Sequence, residues 1–168
     1  SAPHVVIATG GRPSLPRIPG AELGISSDGF FELGARPGSV AIVGSGYIAV
    51  ELAGVFSALG THTTLVLRRE RVLRGFDAML GDNLMKSMRD EGVEILTGAV
   101  PSALARNAQG ALELALADGR SAGAFDVVLW AIGREPAVAD LNLAAAGLAP
   151  AVDGSITTDA LQQTAVNG

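Results

Sequence analysis

The sequence predicts an α/β protein with a central parallel sheet, flanking helices and a three-stranded antiparallel β-meander. From residue 39 to residue 96, short apolar runs alternate with two longer helical stretches in the order strand–helix–strand–helix–strand. That order is typical of parallel strands joined by right-handed crossovers. Three short strand-like runs separated by turns follow between residues 102 and 125, and a final apolar run at 127–131 can rejoin the parallel sheet.

The composition fits a globular domain and argues against two other classes of protein. The chain has 168 residues, of which 48% are hydrophobic and 17% charged, so a sizeable core can form. It contains no cysteine, which excludes a disulfide framework, a thiolate metal site and thiol chemistry carried by this chain alone. An isoelectric point near 4.9 argues against a nucleic-acid binder, and no apolar run approaches the roughly 20 residues that span a bilayer.

Periodicity and turn residues give the expected bounds of each element. Strands are expected at residues 5–8, 39–43, 63–67, 93–96 and 127–131, and the meander at residues 102–106, 112–116 and 121–125. Prolines between residues 13 and 19 suggest a linker, followed by a short helix over 29–33 capped by Ser27 and Asp28. Longer helices are expected at residues 47–59, and at residues 78–91 with Asp77 as cap. The apolar stripe of the second one comprises Leu80, Leu84 and Met88.

A glycine-rich turn stands between the first strand of the sheet and the helix that follows it. Residues 44–49 read GSGYIA and match the pattern G-x-G-x-x-A. Gly44 permits the tight turn, Gly46 lets the backbone approach a pyrophosphate, and Ala49 lets the helix pack closely on the sheet. The free N–H groups of residues 45–48 and the positive end of the helix dipole favour an anion. The pattern predicts a dinucleotide-binding turn in a Rossmann-like domain, with a purely structural turn as the alternative.

An island of positive charge follows the second strand of the sheet, although the net charge of the chain is −5. NAD-dependent folds carry an acidic residue at this strand end for the ribose 2′-hydroxyl, whereas this chain has Leu67 there. Guanidinium groups match a 2′-phosphate instead, which predicts that Arg68 and Arg74 bind NADPH. Arg69 and Arg71 flank Glu70 and are expected to be solvated. The alternative is an exposed charge run with no ligand.

Longer stretches of the chain resemble the flavin-dependent pyridine nucleotide–disulfide oxidoreductase family, and most of all the NADPH-binding domain of its glutathione reductase branch. The resemblance spans nearly the whole chain, and trypanothione reductases are similar over the same regions. The stretches that carry it are HVVIATGGRPSLPRIPGAELGISSDGFFEL, VAIVGSGYIAVELAGVFSALG, LRRERVLRGFD and VVLWAIGREP. The family often has His or Lys where this chain has Arg69 and Glu70, and Glu70 would weaken a third phosphate contact.

The resemblance implies roles for residues of the glycine turn and its helix. Ser45 and Ile48 fall where the family's turn contacts the pyrophosphate. Tyr47 matches a ring that covers the flavin until nicotinamide displaces it. Glu51 matches an acid beside the nicotinamide that pairs with a lysine of the flavin domain. Tyr47 and Glu51 are four residues apart, so they share one face of the predicted helix.

The resemblance also implies roles outside the helix. Gly133 matches a backbone position close to the cofactor, and Arg134 is expected to face the nucleotide or the flavin domain. Thr9 and Gly10 fall where the family chain leaves the flavin domain. Residues 37–135 would then be the NADPH-binding domain, with a flank and linker from the flavin domain at 1–36 and a return flank at 136–168.

The function that the resemblance implies is that of a disulfide reductase of the glutathione-disulfide type. Hydride would pass from NADPH to FAD and on to a disulfide, and the expected partners are the flavin and dimerisation domains of a cytoplasmic homodimer. Because the chain lacks the family's redox cysteines, it is expected to be a segment that binds NADPH without catalysing the reaction. The alternatives are a stand-alone nucleotide-binding or redox-sensing module, and a domain of a trypanothione, mercuric or thioredoxin reductase.

Overall fold

A computed structural model describes residues 2–166, and Ser1, Asn167 and Gly168 at the ends of the two predicted flanks lie outside the described residues. The chain divides into two compact units: a larger one of residues 13–133, and a smaller one formed by the segments before and after it. The ten strands are β1 (Gly11–Pro13), β2 (Ile25–Ser26), β3 (Ser39–Val43), β4 (His62–Val66), β5 (Glu94–Leu96), β6 (Pro101–Arg106), β7 (Leu112–Leu116), β8 (Ser121–Phe125), β9 (Val127–Trp130) and β10 (Arg134–Pro136) among the described residues. The helices there are α1 (Ser27–Phe31), α2 (Tyr47–Ala58) and α3 (Ala78–Asp90), with short 3-10 helices at Ala21–Leu23, Ala139–Leu141 and Leu143–Ala146.

The larger unit contains the predicted parallel sheet and meander. Five strands pair in the order β2-β9-β3-β4-β5, and every pairing is parallel. Strands β6, β7 and β8 form the antiparallel meander, in which each strand pairs with the next. The predicted α/β fold with a parallel sheet and a three-stranded meander is therefore confirmed.

Strand β3 shows how the apolar run builds two layers of core. Successive side chains of a strand point to opposite faces of the sheet. Val40 and Ile42 pack with the buried residues of α2 and α3, whereas Ala41 and Val43 pack with the buried residues of the meander. A strand covered on both faces has no polar side, which explains the uninterrupted apolar sequence. Helices thus cover one face of the sheet and the meander covers the other.

The structure corrects the expected strand at residues 5–8. No strand forms there, and the side chains of Val5 and Val6 are 68% and 87% exposed. An apolar run becomes a strand only where a neighbouring strand accepts and donates its backbone hydrogen bonds, and no such partner exists among residues 2–166. The apolar composition of residues 5–8 was therefore not sufficient to predict a strand.

Two helices differ from expectation in detail. Helix α1 begins at Ser27 because the hydroxyl of Ser26 accepts a hydrogen bond from the N–H of Asp28, so the predicted span was about two residues late. The predicted apolar stripe of α3 was also wrong in part, since Leu80 is 53% exposed and the buried side is formed by Gly81, Met85 and Met88. A Cβ on Gly81 would lie 2.9 Å from the carbonyl oxygen of Val72. The absence of a side chain at Gly81 thus lets α3 lie close to the backbone at Val72.

The smaller unit is formed by the segment that ends at Arg12 and the segment that begins at Arg134. Its most regular feature is the pairing of β1 with β10, which the sequence did not predict. The N–H of Ala137 donates to the carbonyl oxygen of Gly10 at 2.9 Å, and Arg12 forms an ion pair with Glu135 at 2.6 Å. Within the described part of the chain, no helix has the length and apolar character required to cross a membrane.

Candidate functional site

The turn after β3 requires glycine at its first position for two reasons. Gly44 has φ +147°, a conformation that other residues rarely adopt, and a Cβ there would lie 2.1 Å from the carbonyl oxygen of Ala131. Its N–H donates to the carbonyl oxygen of Val66 at 3.1 Å. Gly46 is different, because no atom lies within 4 Å of where its Cβ would be. Gly44 is thus enclosed by its neighbours, whereas Gly46 leaves open space beside the backbone.

The first turn of α2 presents unpaired donors at this open place. Gly46 is the N-cap and supplies no side chain, and the first intrahelical bond runs from the N–H of Val50 to the carbonyl oxygen of Gly46. The N–H groups of residues 45–48 have no acceptor among residues 2–166. Such a set of N–H groups, at the positive end of a helix dipole, can bind an anion. Ala49 and Ala53 are fully buried, so this helix end lies close to the sheet.

The predicted phosphate-binding arginines lie together in the loop after β4. We call residues 67–76 the arginine loop. Leu67 and Val72 are completely buried, and the charged residues between and after them are exposed. An open cleft of about 610 Å³ lies against this loop. The residues that line it are Arg68, Arg69, Glu70, Arg71, Arg74, Phe76 and Ala78.

The four arginines of the loop are not equivalent. The Nε of Arg71 lies 2.6 Å from Oδ1 of Asp82 on α3, so this guanidinium is already paired. Within residues 2–166, no carboxylate forms an ion pair with Arg68, Arg69 or Arg74. Among the described residues that line the cleft, Glu70 is the one acid, so positive charge is in excess there.

A contact that the sequence did not reveal joins the arginine loop to the glycine turn. The N–H of Leu73 donates to the carbonyl oxygen of Ser45 at 2.7 Å, and Leu73 has φ +50°. Leucine carries no signal for a left-handed conformation, since Gly, Asn and Asp are the residues usually found there. The bond brings the residue next to Arg74 against the start of α2.

Tyr47 and Glu51 lie one turn apart on α2, as their spacing predicts. The Tyr47 side chain is 59% exposed, and Glu51 is exposed and forms no ion pair within residues 2–166. An exposed aromatic ring and a free carboxylate are thus available on one side of the helix. Their predicted roles toward nicotinamide and flavin stay predictions.

The remaining predicted site residues lie in both units. Gly133 belongs to the larger unit, follows β9 with φ +142°, and accepts a hydrogen bond from the N–H of Ser14 at 3.0 Å. Ala131, two residues earlier, donates to the carbonyl oxygen of Val43 at 2.8 Å, so the end of β9 lies beside the glycine turn. Thr9, Gly10 and Arg134 belong to the smaller unit, where the guanidinium of Arg134 donates to the carbonyl oxygen of Gly11.

A parallel α/β sheet with a glycine turn, an open helix N-terminus and a cleft beside the next strand end is the arrangement of dinucleotide-binding domains. The profile of the pyridine nucleotide-disulphide oxidoreductase family matches residues 1–168. The chain belongs to this family.

Its curated relatives include several glutathione reductases. The chain is 45% identical to the glutathione reductase of Schizosaccharomyces pombe over 99% of its own length and 36% of the relative. It is 41% identical to the chloroplastic/mitochondrial glutathione reductase of Pisum sativum over 99% of its own length and 30% of the relative. The chain therefore spans about a third of the length of these relatives.

Solved structures agree with the fold. The HOCl-induced flavoprotein disulfide reductase RclA from Escherichia coli superposes on this chain with a TM-score of 0.88 and 29% identity. The match covers 95% of this chain and 37% of the RclA chain. An engineered water-forming NADPH oxidase bound to NADPH superposes with a TM-score of 0.76 and 28% identity. The match covers 89% of this chain and 34% of the oxidase chain.

Proposed function

We propose that this chain is the NADPH-binding domain of a glutathione-reductase-like flavoenzyme. In the complete enzyme, NADPH passes hydride to FAD, and the electrons go on to a disulfide such as glutathione disulfide. The observation that carries the proposal is that Arg68 and Arg74 line one cleft without a carboxylate partner among the described residues. The loop that holds them is hydrogen-bonded to the glycine turn.

The residues of the site suit the pyrophosphate and the 2′-phosphate of NADPH. The pyrophosphate requires backbone donors and space, which the N–H groups of residues 45–48 and the open side of Gly46 supply. The 2′-phosphate requires cations at the end of β4, where Arg68 and Arg74 stand and where Leu67 replaces the acid of NAD-dependent folds. The guanidinium of Arg71 contributes less because Asp82 already neutralises it.

The engineered NADPH oxidase supports the arginine assignment through the spacing of its substitutions. These include a glycine changed to alanine, an aspartate changed to alanine 18 residues later, and arginines introduced 19 and 25 residues after the first change. In this chain Ala49 is followed by Leu67, Arg68 and Arg74 at the same three spacings. A protein described as bound to NADPH therefore has an alanine and two arginines at the same spacing as Ala49, Arg68 and Arg74 of this chain.

The chemistry divides between the nucleotide and the chain. NADPH supplies the hydride when it is bound, and the residues of this chain bind and orient it. We assign the glycine turn to the pyrophosphate and the arginine loop to the adenosine end, while Gly133 borders the cofactor from the end of β9. Tyr47 would cover the flavin side of the site, and Glu51 would lie beside the nicotinamide.

The complete enzyme requires parts that this chain does not contain. The chain has no cysteine, so a disulfide must be reduced by residues elsewhere. We propose that FAD and the redox cysteines belong to a flavin domain, which Thr9, Gly10 and Arg134 would adjoin, and that a dimerisation domain makes the parent a homodimer in the cytoplasm. On this proposal the chain alone binds NADPH and reduces no disulfide.

Titration of the purified chain with NADPH and with NADH tests the proposal. Charged hydrogen bonds contribute about 1.5–3 kcal/mol each, so after a discount for solvent we expect NADPH to bind about ten to a thousand times more tightly than NADH. The double variant Arg68→Ala/Arg74→Ala should lose most of that preference. Arg106→Ala, an exposed arginine of β6, is the matched control and should retain it. Equal dissociation constants for the two nucleotides with the unaltered chain would contradict the proposal.

A diaphorase assay with added FAD tests the second part of the proposal. The chain should transfer no electrons from NADPH to a dye, with or without FAD, because on this proposal the flavin is bound by another domain of the parent protein. Measurable turnover would show that the chain binds flavin itself and acts as an enzyme on its own.

A further inference from the structure

Leu73 combines an unfavourable backbone conformation with several fixed contacts. Its φ of +50° lies in the left-handed region, which residues with a Cβ seldom occupy. Residues of this kind persist only where surrounding contacts hold them, and they occur most often at functional sites. The question is therefore what holds Leu73 in this conformation and what that conformation accomplishes.

Backbone and side-chain contacts hold Leu73 in this conformation. Its N–H donates to the carbonyl oxygen of Ser45 at 2.7 Å, and its own carbonyl oxygen accepts from the N–H of Phe76 at 2.8 Å. The half-buried side chain packs against the core that α2 and α3 share with the sheet, and the preceding Val72 is completely buried. Leucine thus serves as an apolar anchor at a position where glycine would be the conformationally easier residue.

The bond to Ser45 also orients a donor of the glycine turn. The peptide group between Ser45 and Gly46 is trans and planar, so its carbonyl oxygen and its N–H point in opposite directions. Because the carbonyl oxygen faces Leu73, the N–H of Gly46 faces away from the arginine loop. This N–H has no acceptor among residues 2–166, and it belongs to the set that suits a pyrophosphate.

The next residue along the chain is Arg74, whose guanidinium lines the cleft. The left-handed conformation at Leu73 determines the direction in which the backbone enters Arg74. A single residue therefore touches both predicted phosphate sites: it is hydrogen-bonded to the turn and covalently joined to the arginine.

We propose that Leu73 is a positioning residue that couples the pyrophosphate turn to the 2′-phosphate clamp. The inference rests on the proposed function, since it assigns a role within the same site. Coupling means that the contact between Arg74 and the 2′-phosphate strengthens nucleotide binding only while the arginine loop is held to Ser45. Release of Leu73 should lower NADPH affinity more than NADH affinity, because NADH lacks the group that Arg74 binds.

Three variants test this role through the dissociation constants for NADPH and NADH. Leu73→Gly relaxes the backbone while it retains the N–H, and we expect it to weaken NADPH binding by about tenfold and NADH binding by about threefold or less. Leu73→Met keeps an apolar side chain of similar volume and should stay within about threefold of the unaltered chain for both nucleotides. Leu73→Gly in an Arg74→Ala background should change NADPH affinity by only about threefold, since non-additivity is the mark of coupling.

The outcomes separate the inference from the proposed function. If the unaltered chain binds both nucleotides equally, the proposed function fails and this inference fails with it. If the unaltered chain prefers NADPH and Leu73→Gly keeps the full preference, the inference alone is wrong. A tenfold effect of Leu73→Gly that persists in the Arg74→Ala background would also overturn it.

Hydrogen exchange in the unaltered chain provides a test that needs no variant. At saturating nucleotide, the amide of Leu73 should exchange about ten times more slowly with NADPH than with NADH, because the 2′-phosphate holds the arginine loop in place. The amide of Leu116, in the meander, is the control and should respond equally to both nucleotides. The same exchange rate at Leu73 with either nucleotide would overturn the inference.

Discussion

The guanidinium of Arg71 forms an ion pair with the carboxylate of Asp82, with the Nε of the arginine 2.6 Å from Oδ1. The pair connects the arginine loop to the first turns of α3. It also divides the four arginines of the loop into one that is paired within the chain and three that are not, as far as the described residues show. A bound phosphate would therefore find Arg68, Arg69 and Arg74 available, whereas Arg71 is already paired with Asp82.

The first prediction is that Arg71→Ala has a small effect on nucleotide preference. Both side chains of the pair are about half exposed, at 46% and 57%, so its loss should lower the free energy of unfolding by about 1 kcal/mol or less. The dissociation constant for NADPH should change by about threefold or less, measured by fluorescence titration. Arg68→Ala is the matched variant and should lose about tenfold or more. Equal losses in the two variants would mean that the ion pair does not withhold Arg71 from the site.

The second prediction contrasts the two glycines of the turn. Gly44→Ala places a Cβ about 2.1 Å from the carbonyl oxygen of Ala131 and should destabilise the fold by about 3 kcal/mol or more. Gly46→Ala meets no atom within 4 Å, so its melting temperature should stay near that of the unaltered chain. Its methyl group would instead obstruct a pyrophosphate, and NADPH and NADH should both bind about tenfold more weakly. Thermal unfolding and titration of both variants measure this, and an unstable Gly46→Ala variant would contradict the assignment.

Much of the larger unit could be predicted because its strands and helices carry signals in their own residues. The bounds of β3, β7 and β8 agree with expectation, and α3 begins where Asp77 caps it. Apolar periodicity, caps and turn residues act locally, so the sequence alone reveals them. The predicted α/β class follows from the order of these elements.

Features that depend on distant partners could not be predicted. Residues 5–8 have a strand-like composition but no partner strand among the described residues, whereas β2 is only two residues long and exists because it pairs with β9. The ion pair of Arg71 with Asp82 and the bond from Leu73 to Ser45 join residues that are 11 and 28 positions apart. Only the folded chain brings such groups together. The sequence therefore predicts a phosphate site in the arginine loop but not the contacts that shape the loop.

The third prediction concerns a buried hydrogen bond that holds the linker against the sheet. The indole N–H of Trp130 donates to the carbonyl oxygen of Ala21 at 2.8 Å, and Trp130 is 1% exposed. Trp130→Phe removes the indole donor and part of a buried ring, whereas the carbonyl oxygen of Ala21 keeps its bond from the N–H of Gly24, so the free energy of unfolding should fall by about 1–3 kcal/mol. Denaturant unfolding measures the change, and Phe31→Leu, at an exposed aromatic, is the control. A loss within 0.5 kcal/mol, on the order of a surface substitution, would show that the bond is dispensable.

The fourth prediction uses salt to isolate the charge on the 2′-phosphate. Raising the ionic strength from about 0.01 M to about 0.15 M shortens the screening length from about 30 Å to about 8 Å. Attraction between an exposed guanidinium and a phosphate should weaken accordingly, so the dissociation constant for NADPH should rise several-fold more than that for NADH. Both nucleotides share the pyrophosphate, so the difference between them reports Arg68 and Arg74. In the variant Arg68→Ala/Arg74→Ala the two salt dependences should converge. If they remain as far apart as in the unaltered chain, another group of the protein recognises the 2′-phosphate.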